Sequence, residues 1–491
     1  MATHDLPSSH QTLKDIPAKM GILNMFRLGL FQMGLGIMSL LTLGLLNRVM
    51  IDELKIPALI AAGAIAMHQL VAPARLWFGQ MSDAKTLWGY HRTGYIWIGG
   101  ALFTLMAFLA VQVVWRLNAS LAVNGDWTSA TYTWTGLLGL VFALYGLALS
   151  ASSTPFAALL VDVSDEDERP KLVGIVWSML MVGIVVGAIM GGQILDQPQL
   201  CGPAILSYDP SQTVSTVELT NLKQAVNSVF LIVPAIVFGL CVASTWGIEK
   251  KYSRYQSRSM VTDREDQITL GRALKVLTAS RQTGIFFSFL IMMTISLFMQ
   301  EAVMEPYGGE VFNMCVSETT QLNAFWGMGT LVGLSATGFF VAPRIGKRRT
   351  TKLGCLMTAG CFILIILSGF TQNPQSLQIA LLLFGLAAGI TTSGGISLML
   401  DLTAAETAGV FIGAWGLAQA IARAVATFSG GAILDIGRSL FPNLVFAYGL
   451  VFALQAIGMI IAVQLLNRVD VQEFQANSKQ AIAAILGSDL D

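Results

Sequence analysis

Twelve apolar runs, each long enough to cross the ~30 Å of a bilayer's hydrocarbon, limit what this chain can fold into. They lie near 26–46, 57–78, 94–115, 134–161, 172–195 and 227–247, and after a polar stretch near 284–304, 321–342, 351–371, 376–400, 407–434 and 441–466. Hydrocarbon offers no water to satisfy a stray N–H or C=O, so runs of this length must become helices. The expected fold class is an all-α membrane protein of twelve transmembrane helices in two six-helix halves. Composition agrees: of 491 residues 54% are apolar and only 12% charged, too few charges to cover a soluble surface of that size. The first 24 residues are polar and lack a cleavable signal pattern, so the first run is expected to insert directly.

The runs divide the chain into an N-terminal tail (1–25), a first bundle (26–247), a central loop (248–283), a second bundle (284–466) and a C-terminal tail (467–491). An even number of spans puts both termini on one face. If that face is cytoplasmic, its loops hold Lys14, Lys19, Lys85, Arg92, Arg169, Lys171, the eight bases from Lys250 to Arg281, and Arg344 to Lys352. The opposite loops hold only Arg48, Lys55, Arg116, Lys223 and Arg438, and the loop Glu301 to Glu318 carries four Glu and no base. Retention of bases on the cytoplasmic side therefore predicts cytoplasmic termini. In the central loop, Leu270, Ala273, Leu274 and Leu277 recur at helical spacing beside Arg272 and Lys275, which fits an interfacial helix or a solvated tether. Five cysteines show no metal spacing; Cys201 and Cys315 fall on one expected face, where a bridge is open, but free thiols are the expectation.

The halves repeat. Tyr145-Gly-Leu-Ala through Asp162 in the fourth run matches Phe384-Gly-Leu-Ala through Asp401 in the tenth, and Gly191-Gly-Gln-Ile-Leu-Asp196 matches Gly430-Gly-Ala-Ile-Leu-Asp435. After the second and eighth runs, Gly79-Gln-Met-Ser-Asp83 followed by Gly89 and Arg92 echoes Gly338 to Ala342 followed by Arg344, Gly346, Lys347 and Arg348. This resembles the loop signature of the major facilitator superfamily, in a degenerate form that lacks the acid in the second half. The resemblance implies the major facilitator fold and a gating role for the loop residues, with Arg75 clustering beside Asp83 and Arg92. Gly183, Gly187, Gly191, Gly329 and Gly333 read as helix-packing positions.

Polar groups inside spans are costly and therefore informative. Arg423, near the middle of the eleventh run, shares a helical stripe with Trp415, Gln419 and Gly430, and Glu301 is its nearest plausible carboxylate. His68, in the second run above Pro57, has Ala61, Ala64 and Ala72 along its stripe and Gln69 beside it; with Gln32 these residues form the expected pigment or substrate cavity. A neutral His68 with small neighbours is able to ligate the magnesium of a tetrapyrrole or to hydrogen-bond another helix, and both readings stand. Apart from that possible chlorophyll magnesium, no metal is expected. The acidic run Asp162 to Glu168 reads as a solvated loop. No phosphate-cradling motif and no nucleophile constellation is present, so an enzyme is not expected, nor is nucleic-acid binding.

The first hundred residues narrow this. Phe26-Arg27-Leu28, Asn47-Arg48-Val49-Met50-Ile51, Glu53, Pro57, Arg75, Gly79, Ser82-Asp83, Gly89, Arg92 and Tyr95-Ile96-Trp97 resemble the bacteriochlorophyll delivery (PucC/LhaA-like) family of the major facilitator superfamily. The resemblance implies a protein of a thylakoid or intracytoplasmic photosynthetic membrane. It would hold or hand over chlorophyll or bacteriochlorophyll and have light-harvesting or photosystem proteins as partners. Secondary transport of an amphipathic solute is the other reading. At the outer end of the first run, Arg48 is expected to pair with Glu53 or to read a pigment or lipid headgroup.

Overall fold

A computed structural model describes residues 20–124, 127–164, 168–195, 216–253, 281–402 and 408–469. The helices are α1 (Ile22–Glu53), α2 in two pieces (Ala58–Leu70 and Ala74–Ala84), α3 (Thr93–Asn124), α4 (Ser129–Asp162), α5 (Arg169–Leu195) and α6 (Thr216–Thr245). The second half repeats the plan with α7 (Arg281–Phe298, prolonged by Met299–Ala302 and Met304–Phe312), α8 (Val316–Ala336, running on to Ile345), α9 (Lys347–Thr371), α10 (Pro374–Leu402), α11 (Ala408–Leu440) and α12 (Leu444–Asn467). Among the described residues ten of these are long and apolar enough to cross a membrane by length and composition. The other two have visible reasons for falling short. α2 is broken where Pro73 withholds an N–H, and turns form at Val71 and Ala72; α8 opens with Ser317, Glu318, Thr319, Thr320 and Gln321.

Large apolar side chains that are exposed on the outside of the bundle, such as Ile363, Leu367, Ile379 and Ile457, suit hydrocarbon as solvent. We call the side from which α1 starts and on which α12 ends the terminal face, and the opposite side the distal face.

The packing is pseudo-symmetric. Within the first half α1 packs on α5 and α6, α2 on α4, and α3 on α4 and α6; within the second, α7 packs on α11 and α12, α8 on α10, and α9 on α10 and α12. Across the halves α5 meets α8 and α11 meets α2, again an equivalent pair. The sequence repeat explains both levels. A Cβ on Gly146 would strike the His68 backbone, and one on Gly385 would strike Trp326 and Thr330, so each repeat glycine lets its helix approach its partner backbone to backbone. The paired glycines do the same between halves: Gly191 and Gly192 abut Thr320 and Gln321 of α8, and Gly431 abuts Ala58 of α2.

Two expectations change. The segment Glu301 to Glu318 is no loop; most of it continues α7 as a buried helix, and Glu305 is 4% exposed. Cys315, at the distal start of α8, is disulfide-bonded rather than a free thiol. It sits on the face away from the termini, where a disulfide is tolerated if that face is outside the cytosol; Cys201 lies outside the described residues. So do Asp165–Asp167, Asp196, most of both tails and most of the central loop, including the expected interfacial helix around Leu270, although Ile248–Tyr252 is a short helix.

Replacing Gly146 by Leu should lower stability by about 1–3 kcal/mol through overpacking, seen as a lower thermal midpoint in detergent. Gly136→Ala, where an added Cβ meets nothing within 4 Å, should leave that midpoint in place.

Candidate functional site

A cavity of about 580 Å³ lies between the halves. α1 contributes Gln32 and Ser39, α2 His68, Gln69 and Arg75, α4 Tyr145, α7 Glu301 and Glu305, α8 Asn323 and Trp326, and α11 Arg423. Of the sequence candidates, His68, Gln69, Gln32, Arg423 and Glu301 thus share one cavity wall. Trp415 and Gln419 do not line it: α11 meets the cavity at Arg423, and the two lie one and two turns nearer the terminal face, half-buried.

His68 lies in the last turn of the first piece of α2, and its ring folds back onto its own helix. The ring Nδ1 lies 2.5 Å from the Ile65 carbonyl oxygen, and a carbonyl only accepts, so Nδ1 carries the proton and the Nε2 lone pair is left unused. Tyr145 stands edge-on to the ring at 6.0 Å.

Arg423 does not form the expected ion pair. Its guanidinium lies 3.7 Å from the Phe298 ring centroid, and no carboxylate comes within ion-pair distance among the described residues. Glu301 remains within electrostatic reach, one of its oxygens buried without a hydrogen bond. The short turn Met299–Ala302, where α7 tightens, carries Glu301 past the guanidinium and leaves Phe298 beneath it. Arg75 likewise stands apart from Asp83 and Arg92: it faces the cavity and has Arg423 as its charged neighbour.

The distal end of the cavity is shut by a polar latch between the halves. Arg48, 1% exposed, pairs with Asp52 and with Glu53 at 3.2 Å, and donates to the Met314 carbonyl at 3.1 Å beyond α7. Asn47 Nδ2 donates to the Ala302 carbonyl at 2.6 Å. Lys55 reaches Glu310 at 3.4 Å, and Arg438 and Tyr448 hold the same carboxylate at 2.7 and 2.8 Å. Asp435 accepts from the Ala58 and Leu59 N–H groups at 3.1 and 2.8 Å, capping α2 from α11 just after Pro57. Glu305 accepts from Asn323 beneath this layer, against Gly44, where a side chain would collide with the carboxylate. Arg48 thus pairs with Glu53, one of the two roles expected for it, and two other bases of the distal loops, Lys55 and Arg438, are partners of Glu310. Asp52, Glu305, Glu310 and Asp435 escaped the sequence reading, although Asp435 stood inside the Gly-Gly repeat.

The terminal face is organised within each half. Arg92, 2% exposed, joins Asp83 at 2.5 Å, Asp162 at 2.9 Å and Ser82 at 2.6 Å. Burial works against its charge, but Asp162 and Asp83 outweigh it and hold the guanidinium above its ordinary pKa. Asp162 is thus an ion-pair partner, not part of a solvated run. Glu249 accepts from the His91, Arg92 and Thr93 N–H groups and the Thr93 hydroxyl, capping α3. Gly89 adopts φ +76° in the turn before it. Arg27 binds the Ala243 and Trp246 carbonyls at the end of α6, and Arg348 the Leu466 and Asn467 carbonyls at the end of α12. Arg344 rests on Phe340 in the exposed turn that ends at Gly346 (φ +82°); Lys347 follows, and Gly79 packs near Thr154. Among the described residues one ion pair, Lys55–Glu310, joins the halves, and it lies on the distal face.

Comparisons with known proteins agree with this architecture. The family model described as "PUCC protein" matches residues 45–474. The "Bacteriochlorophyll synthase 44.5 kDa chain" of Rhodobacter capsulatus is 30% identical over 92% of this chain and 96% of its own. "Protein PucC" of the same organism is 28% identical over 85% of each. Among solved structures, the nucleoside transporter NupG superposes with a TM-score of 0.62 at 12% identity, covering 91% of this chain and 98% of its own. A bacterial homolog of the human lysosomal transporter Spinster, inward-facing and occupied, gives 0.63 at 14% identity over 92% and 97%. The fold is the major facilitator fold.

Removing Arg48 strands two carboxylates, so Arg48→Met should cost about 3–5 kcal/mol and open the distal end. The check is a cysteine placed at the cavity residue Leu43 and labelled with an impermeant thiol reagent in sealed vesicles of both orientations. Labelling from the distal side should be absent with Arg48 and present without it.

Proposed function

Since the chain belongs to the PUCC protein family, we propose that it holds a chlorophyll-type pigment in the inter-half cavity and passes it to light-harvesting or photosystem proteins of a photosynthetic membrane. One observation carries this reading. His68 lines the cavity with its Nδ1 proton committed to Ile65 O, which fixes the tautomer and turns a lone pair into a ligand for a metal chelate. Metal-ligating histidines characteristically donate their other N–H to a carbonyl or carboxylate in this way. The cavity volume lies within the range of small-molecule sites, and Tyr145 and Trp326 put aromatic surface in its wall. The chelated magnesium, when bound, would supply the Lewis-acid centre that takes up the imidazole. His68 would orient the ring, and Gln69 and Gln32 would offer donors to peripheral carbonyls.

The role so described is carriage and hand-over rather than catalysis. The relative named as a bacteriochlorophyll synthase chain supports the pigment class. With the distal latch closed, exchange with the cavity would run toward the terminal face, which we read as cytoplasmic from its bases. The transport reading has its own support in the fold shared with solute transporters.

The deciding experiment is to purify the protein from a pigment-synthesising host in mild detergent, record its absorption spectrum and identify co-purifying subunits. A tetrapyrrole band, reduced severalfold in occupancy by His68→Ala, is the expected result. Unchanged occupancy would remove His68 as ligand. Absence of both pigment and antenna subunits, with solute uptake into vesicles that collapses on Arg423→Ala, would favour transport instead.

A further inference from the structure

Two guanidiniums in this cavity lack ion pairs. Arg75 and Arg423 lie within electrostatic reach of each other, and among the described residues neither has a carboxylate at ion-pair distance. Among the described residues Glu301 is an acid within electrostatic reach of Arg423, and the charged neighbour of Arg75 is Arg423. Even with Glu301 ionised, the group Arg75, Arg423 and Glu301 therefore carries a net positive charge into the cavity, with Arg75 exposed to it and Arg423 half-buried. A cleft lined by one sign of charge attracts a ligand of the opposite sign. The other acid of the cavity wall, Glu305, belongs to the distal end, where Arg48 and Asn323 engage it.

The spacing relates this charge to His68. Both are on α2, seven residues apart across the Pro73 break, and the turn there keeps short i→i−3 hydrogen bonds from Ala72, Ala74 and Arg75. A helical rise over that interval is about 10 Å, comparable with the reach from the centre of a tetrapyrrole to the end of a peripheral propionate. A planar fork such as Arg75 matches a carboxylate in a way that an ester cannot reproduce.

We propose that the cavity selects the free-acid form of a metal-chelated tetrapyrrole, with His68 at the metal and the Arg75–Arg423 pair at an unesterified propionate. This rests on the pigment reading above and names its substrate class. The unesterified pigment is the form that exists before a long-chain alcohol is attached. The cavity therefore receives the acid upstream of an esterification step, and the ester formed from the pigment it releases is what reaches the light-harvesting or photosystem proteins.

The test uses the purified full chain in detergent with three probes: magnesium chlorophyllide, its methyl ester, and phosphatidylglycerol as an anionic lipid. Binding is read by quenching of tryptophan fluorescence, for which Trp326 and Trp177 stand in the wall. The acid should bind at least about tenfold more tightly than the methyl ester. Arg75→Gln should erase that ratio by weakening the acid alone, and Arg75→Lys should restore part of it. Equal binding of acid and ester by the unaltered protein overturns the proposal while leaving the pigment reading standing. Equal weakening of both probes by Arg75→Gln also overturns it, since that would mark a structural residue. Failure of both pigments to bind overturns the pigment reading itself. Arg75-dependent binding of phosphatidylglycerol with no preference between acid and ester assigns the charge to a lipid and likewise overturns the proposal.

Discussion

A guanidinium 1% exposed at the end of the first helix organises the distal half of this molecule. Arg48 is too costly to bury alone, and its partners come from two directions: Asp52 and Glu53 from its own helix, the Met314 carbonyl from beyond α7. Satisfying it brings the first helix of one half against the seventh helix of the other. Asn47, Lys55, Glu310, Arg438 and Asp435 extend the contact around it. Arg48 and Asn47 are both 1% exposed, so losing a partner here leaves polar groups unpaired inside the protein.

That closure gives the cavity its asymmetry. At the distal end the halves are joined by hydrogen bonds from Asn47 and Arg48 to backbone carbonyls, from the Ala58 and Leu59 N–H groups to Asp435, and by the Lys55–Glu310 ion pair, whereas on the terminal face Arg92 with Asp83 and Asp162, and Glu249 at the start of α3, bind elements of the same half. The arrangement in which the halves meet distally is therefore stabilised by hydrogen bonds that cross between them, and the terminal side by local pairing and capping. Between the two lies a wall carrying one imidazole, its Nδ1 held by a backbone carbonyl, and two arginines that form no ion pair among the described residues. A Lewis base and two hydrogen-bond donors for anions are thus set into one cavity wall.

The repeat was legible because it is a matter of packing. Gly146 and Gly385 occur in matching words of the sequence and do matching work, each admitting a neighbouring backbone that a Cβ would block. The loop charges are harder to read because sequence counts a charge by its nearest span end. The Arg48–Glu53 pair is short in sequence and legible there, but Glu301 to Glu318 reads as an acidic loop and Lys55 and Arg438 only as bases near span ends; in three dimensions both bases meet Glu310, and most of the acidic segment is a buried helix. Arg75 was grouped with Asp83 by proximity in sequence, but the α2 break at Pro73 turns it into the cavity.

By itself the sequence determined the membrane as solvent, the spans and the two-half plan, because hydrophobic length and the need to satisfy backbone groups internally leave no other choice. It also pointed to His68, Arg423 and the Asn47-Arg48 segment as places where polarity enters hydrocarbon at a cost. Tertiary structure alone decided which charges neutralise which, since α1 with α7, and α2 with α11, lie hundreds of residues apart in the chain. Whether Arg48 is a latch and Arg423 an open cation depends on the separation of side chains across that interface, a distance that no local pattern encodes.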